Sequence, residues 1–270
     1  MAAAGAKQGK LKTPIAPPPP PSSMRSQSLT LARCLSSAAA RAPVSAARPL
    51  QHLFPTAAMS ATGADAFERV ITGNKSYARR SAQSEPQLWQ TLAQGQSPEV
   101  LWFGCGDSRV PETTICDCKP GDMFVHRNIA NVIVPGDLSS ESIIDFAVGA
   151  VKVKRIVLCG HTQCGGAINA LNDNDLGPAL NAWLQPLRDL RRRHQHEIDQ
   201  IDSVDRKALR LAELNVRQGV ETIRANATVR KAMAERGVSV HGVIFDISSG
   251  ELRVLGDQTQ AVPAGLWQHR

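Results

Sequence analysis

Cys105-Gly106-Asp107-Ser108-Arg109 and Cys159-Gly160-His161-Thr162-Gln163-Cys164-Gly165-Gly166 gather thiols, an imidazole, a carboxylate and a guanidinium into two short segments. Cys105, His161 and Cys164 form a donor set suited to zinc. Structural zinc normally closes its shell with four protein ligands, whereas catalytic zinc keeps three and leaves a position for water. Two thiolates and a neutral imidazole cancel the charge of the divalent ion. A water in the remaining position has its pKa lowered to about 7 in favourable sites, which makes it a nucleophile at neutral pH. Gly165 and Gly166 let the backbone come close to metal or substrate.

Asp107 has two available jobs. It ligates the metal and closes the site, or it pairs with Arg109, whose planar fork suits a bidentate carboxylate contact, and leaves the metal open. Arg109 then decides whether the metal is accessible. Cys116 and Cys118 flank Asp117, too closely spaced for a Cys-x-x-Cys clamp, and are read as packing residues. The chain has six cysteines; their distribution argues for metal or catalysis over a disulfide framework.

Such ligands need rigid supports. Residues 100–104 are a continuous apolar run, the pattern of a strand buried on both faces. Residues 123–126 and 155–160 read as further strands. Residues 139–151 read as a helix capped by Ser139 or Ser140, with Ile143, Ile144, Phe146, Ala147 and Ala150 inward. More helical stretches follow near 165–172, 178–200 and 205–234. Residues 238–247 and 251–255 form a hairpin about Ser248-Ser249-Gly250. Strands alternating with helices predict an α/β fold, a mostly parallel sheet flanked by helices with a C-terminal hairpin strand. In such sheets sites form at the carboxyl ends of strands, and both ligand segments fall there. Residues 65–95 carry helical periodicity through Phe67, Val70, Ile71, Tyr77, Leu88, Trp89 and Leu92. This N-terminal helical arm is placed to lie over a partner subunit in a homodimer or larger homo-oligomer.

Charge placement separates a leader from the domain. The formal net charge of +7 is carried entirely by Lys7, Lys10, Lys12, Arg25, Arg33, Arg41 and Arg48, because no acid precedes Asp65. The domain, residues 65–270, is electrically balanced and offers no basic patch for nucleic acid. The basic run at 191–196 reads as a solvated helix face. Residues 1–64 are an acid-free, Arg- and Ser-rich leader of the mitochondrial targeting kind. A start at Met59 would leave the product cytoplasmic. No apolar run is long enough to span a bilayer.

Two rival functions predict other features. A nucleotide-binding α/β module requires G-x-G-x-x-G after the first strand, and residues 160–166 do not provide that spacing. A thiol enzyme would use Cys105 or Cys164 as a free reactive thiol. The Asp-Ser-Arg tail and the strand-end placement favour the metal.

In these residues the chain resembles the β-class carbonic anhydrases of fungal type, which carry C-x-D-x-R and H-x-x-C motifs. The likeness runs from about Gly95 to Leu255. It includes Gly95-Gln96-Ser97-Pro98, Pro120-Gly121-Asp122, Phe124-Val125-His126-Arg127-Asn128-Ile129-Ala130-Asn131 and His241-Gly242. The resemblance implies one zinc ion per subunit on Cys105, His161 and Cys164, with Asp107 and Arg109 as a catalytic dyad. It implies zinc-dependent reversible hydration of CO2 to bicarbonate and a proton, a zinc-bound hydroxide attacking CO2. Its substrate pocket would be Gln96, Phe124, Ile129, Phe146 and Gly165, with Phe146 standing where plant-like members have tyrosine. Trp102, Gly104, Val110 and Arg127 resemble members that bind bicarbonate at an inhibitory pocket. That pocket also uses a late tyrosine, and the chain's one tyrosine is Tyr77.

Overall fold

The computed structural model describes residues 65–256. The leader, with its targeting expectation, and residues 257–270 lie outside them. Three apolar strands form the middle of a five-stranded sheet: β1 (Val100–Cys105), β3 (Arg155–His161) and β4 (Ser239–Asp246). β2 (Met123–Asn128) flanks β1, and β5 (Glu251–Val254) flanks β4, giving the order β2-β1-β3-β4-β5. The first four strands run parallel; β5 is antiparallel to β4. Its hairpin turns at Gly250, whose φ of 76° lies where glycine is favoured.

Side chains alternate across the sheet with the strand period of two. Leu101, Phe103, Ile156, Leu158 and Ile244 join one apolar cluster; Trp102, Cys159, Val243 and Phe245 join the other. α8 (Val204–Ala225) supplies residues to both clusters, including Leu211 and Val220. It lies close because Gly219 faces β3: a Cβ there would stand 2.4 Å from Leu158 Cδ2. Phe103 pairs with Leu158 in the parallel register, so the carboxyl ends of β1 and β3 lie side by side. Cys105 and His161 are the last residues of these neighbouring strands. The topology alone brings the two ligand segments together.

The helices differ from the sequence reading in where they start and divide. The arm is two helices, α1 (Ala66–Ser84) and α2 (Leu88–Gln94), separated at Pro86, which cannot continue a helix. The rings of Tyr77 and Trp89 hold them edge to face at 5.9 Å. After the single turn of α3 (Glu112–Ile115), α4 (Leu138–Ile144) starts before the expected serine cap. Asp137 is the cap and accepts from the N–H groups of Ser139 and Ser140, as a carboxylate at a helix N-terminus favours. From Asp145 to Val151 that helix widens into π turns, so Phe146 is turned out and 53% exposed. α5 (Gly165–Leu171) follows β3. The stretch expected at 178–200 divides at His194 into α6 (Pro178–Arg193) and α7 (Gln195–Asp199). The stretch at 205–234 divides at Asn226, whose side chain caps α9 (Ala227–Arg236). No helix among the described residues is long and apolar enough to cross a membrane.

Candidate metal centre

Cys105 Sγ, a ring nitrogen of His161 and Cys164 Sγ all lie within 4.8 Å of one another, and all three residues are buried. Cys164 is the N-cap of α5, so the turn out of β3 carries two ligands across three residues. His161 Nδ1 stands 2.8 Å from the carbonyl oxygen of Thr162. A proton on Nδ1 donates to that oxygen and leaves the lone pair on Nε2. His161 Nε2 is buried and has no hydrogen-bond partner. A buried polar atom left unpaired is costly, and a cation between it and the two sulfurs removes the cost. Two thiols and an imidazole in this arrangement fit zinc.

The sulfurs are prepared unequally. The Cys164 thiol, then the His161 imidazole, holds Cys105 down to about 4 against the opposing effect of burial. The same contact with Cys105, reinforced by burial, pushes Cys164 well above an ordinary thiol. Cys105 Sγ also accepts the backbone N–H of Ala130 at 3.3 Å. Ala130 belongs to a short turn, Ile129–Asn131, that leaves β2. Its φ is 61° and that of Asn131 is 46°; left-handed backbone costs an alanine about 1 kcal/mol. Gly166 lets α5 press on this turn, since a Cβ there would lie 2.7 Å from that of Ala130.

Asp107 is paired. Its Oδ1 accepts from the backbone N–H and Nε of Arg109 at 2.9 and 3.0 Å, and its Oδ2 accepts from Nη2 at 2.7 Å. Of the two jobs open to it in the sequence, this is the pairing that leaves the metal position accessible. These bonds hold the carboxyl down to about 2 despite burial. Oδ2 lies 4.0 Å from His161 Nε2, so the paired carboxylate borders the ligand cluster. Arg109 Nη2 also donates to the Gln163 carbonyl at 3.1 Å, and Nη1 to Gln163 Oε1 at 3.3 Å. Gln163 was not singled out in the sequence. Its place between His161 and Cys164, with φ at 56°, turns that carbonyl toward the guanidinium.

Of the five pocket residues, two stand at this centre. Gly165 follows Cys164, and Ile129 Cδ1 would lie 3.7 Å from a Cβ on Gly106. The protomer does not bring the other three there. Phe124 faces Leu101 in the register, far along β1 from Cys105, and packs on Phe146 at 5.7 Å. Gln96 precedes β1 and lines a surface depression with Leu92 and Gly121, toward the opposite strand end. The bicarbonate set gathers around Gly104: a Cβ there would be 2.8 Å from Trp102 Nε1 and 4.0 Å from Arg127 Cγ. Val110 is buried in the same apolar cluster as Trp102. Arg127 donates to the backbone carbonyls of Cys105 and Asp107 at 2.8 and 2.6 Å, which braces the first ligand loop.

Comparison with known proteins agrees with this geometry. A family model described as carbonic anhydrase matches residues 100–252. A carbonic anhydrase of Emericella nidulans is 43% identical over 189 residues, covering 70% of this chain and 82% of that protein. Two tetrameric β-carbonic anhydrases of Sordaria macrospora are described together; the matching chain gives a TM-score of 0.69 at 47% identity, over 70% of this chain and 96% of its own. A β-carbonic anhydrase of Aspergillus fumigatus gives 0.69 at 51% identity, over 71% and 91%. With its Cys-His-Cys cluster at adjoining strand ends and its paired Asp-x-Arg beside it, the chain belongs to the β-class carbonic anhydrases.

Proposed function

We propose that Asp107 and Arg109 orient the attacking water in the reaction this chain catalyses, the zinc-dependent reversible hydration of CO2 to bicarbonate and a proton. The observation that carries it is the unpartnered, buried Nε2 of His161 beside two sulfurs, with a charged carboxylate 4.0 Å away. Cys105, His161 and Cys164 hold the zinc, which acts as a Lewis acid and lowers the pKa of water toward neutrality. Asp107 stays ionised because Arg109 holds it near 2. A carboxylate so stabilised is a poor proton carrier and a good hydrogen-bond acceptor, so its task is to orient a water and its lone pair. Arg109, anchored by Gln163, keeps the carboxylate aimed. Ile129 and Gly165 form the apolar and open part of the pocket, which suits a small substrate without net dipole. Zinc content and stopped-flow CO2 hydration, measured together on Cys105→Ala protein, test the assignment.

The chain is a homo-oligomer, and we propose that the α1–α2 arm makes the subunit contact. α1 buries none of its residues within the protomer, while Phe67 and Val70 are 72% and 65% exposed. An apolar stripe of this kind marks an interaction surface. Protein lacking residues 65–95 is expected to run at a smaller assembly on light scattering; an unchanged mass would remove the arm from the interface.

We propose a mitochondrial destination, supported by the acid-free, Arg- and Ser-rich composition of residues 1–64. Those residues fused to a fluorescent cargo are expected to deliver it to mitochondria. A diffuse cytosolic signal would reject the targeting role.

A further inference from the structure

Asn215 is 5% exposed on α8, flanked in sequence by the buried Leu214 and Val216. A buried amide is tolerated only with a hydrogen-bond partner. Asn215 Nδ2 donates to the carbonyl of Ala130 at 3.0 Å, a bond spanning 85 positions of sequence. The same residue, Ala130, donates its own N–H to Cys105 Sγ. One peptide group of the turn is thus fixed by α8 and the preceding one is aimed at the sulfur.

The turn needs this support. Ala130 and Asn131 both have positive φ, a conformation that persists in a non-glycine residue only where surroundings impose it. Asn128 closes the turn from behind: its Nδ2 donates to the Val132 carbonyl at 2.9 Å and its Oδ1 accepts the Val132 N–H at 2.8 Å. Gly166 presses on the Ala130 Cβ from α5. Neither contact fixes the Ala130 carbonyl, which Asn215 does.

We propose that Asn215 is a positioning residue for the zinc-binding sulfur: by holding the Ala130 carbonyl it keeps the left-handed turn whose N–H donates to Cys105. A hydrogen bond to a metal-bound thiolate takes up part of its negative charge and fixes its direction. Outer contacts of this kind typically alter metal affinity or activity by about 10–100-fold when removed. The inference rests on the zinc reading above.

The test uses full-length protein, with zinc content of the unsubstituted chain measured first. Asn215→Leu removes the donor and keeps the volume close; Asn215→Asp keeps the shape and, measured at alkaline pH where the buried carboxyl is ionised, replaces the donor with a carboxylate. Zinc affinity is read by competition with a chromophoric chelator. Cobalt(II) replaces zinc for a second reading, the near-ultraviolet sulfur-to-cobalt charge-transfer band. Both variants are expected to bind zinc about tenfold more weakly and to shift that band. If Asn215→Leu does not fold, the isosteric Asn215→Asp supplies both readings. Lower melting temperatures with affinity and band unchanged would make Asn215 a packing residue and overturn the proposal. An unsubstituted chain devoid of zinc would sink the metal reading, and this inference with it.

Discussion

Cys105→Ala protein is expected to purify folded, with almost no zinc and no CO2 hydration above the uncatalysed rate. The sheet predicts the folding. Cys105 ends β1 inside the apolar cluster of Trp102 and Cys159, where alanine loses only the sulfur, and the cluster of Leu101, Phe103, Ile156 and Leu158 on the other face is untouched. The loss of zinc follows from the donor count. The two remaining donors do not replace a set of three. Zinc affinity of the unsubstituted chain has a defined pH sign. Binding must displace the proton that Cys164 retains, so acidification favours the proton over the ion and weakens binding. Elemental analysis and stopped-flow hydration on one preparation check the prediction. Metal-dependent turnover at the normal rate in Cys105→Ala would refute the ligand assignment.

The ligands were legible in the sequence because a buried parallel strand announces itself as an apolar run, and its carboxyl end is then known. Residues 100–104 and 155–160 located both ligand segments, and the structure extends each strand by one residue, to Cys105 and to His161. Helix boundaries were less legible, since periodicity reports a face and not a break. Pro86 was readable as a break, but Asn226 and Asp137 act through side-chain caps that a hydrophobic pattern does not register. The pocket residues show a different limit. A shared motif assigns Gln96, Phe124 and Phe146 to a pocket without giving their distance from Cys105 along the strands. In the folded protomer Phe124 pairs with Leu101 and packs on Phe146. Asn215 shows a further limit. The spacing of Ala208, Leu211, Ala212 and Gly219 puts it on the buried face of α8, but its bond to Ala130 spans 85 positions of sequence, and no local pattern names that partner.

Asp107→Asn and Arg109→Leu are each expected to lower kcat about a hundredfold while zinc content stays at the unsubstituted level. The double variant is expected to fall no further than either single one. Asparagine keeps the shape of Asp107 and still accepts through one oxygen, but it loses the charge that makes the acceptor strong. Arg109→Leu leaves the carboxylate charged and unaimed. Oδ2, already 4.0 Å from His161 Nε2, is then free to move toward the metal position and occupy the water's place. Zinc is retained in both cases because neither residue belongs to the ligand cluster. The double variant separates a working pair from two independent contributors. Residues acting as a unit lose their whole effect with the first substitution, whereas independent effects multiply to about ten-thousandfold. The bidentate contact at 2.7 and 3.0 Å, with the backbone bond at 2.9 Å, argues for the unit. In the double variant asparagine no longer carries the charge that could compete for the metal, so removing Arg109 has little left to change. Multiplying losses would assign Arg109 a role apart from Asp107, and turnover at unsubstituted rates in Asp107→Asn would remove the carboxylate from the mechanism.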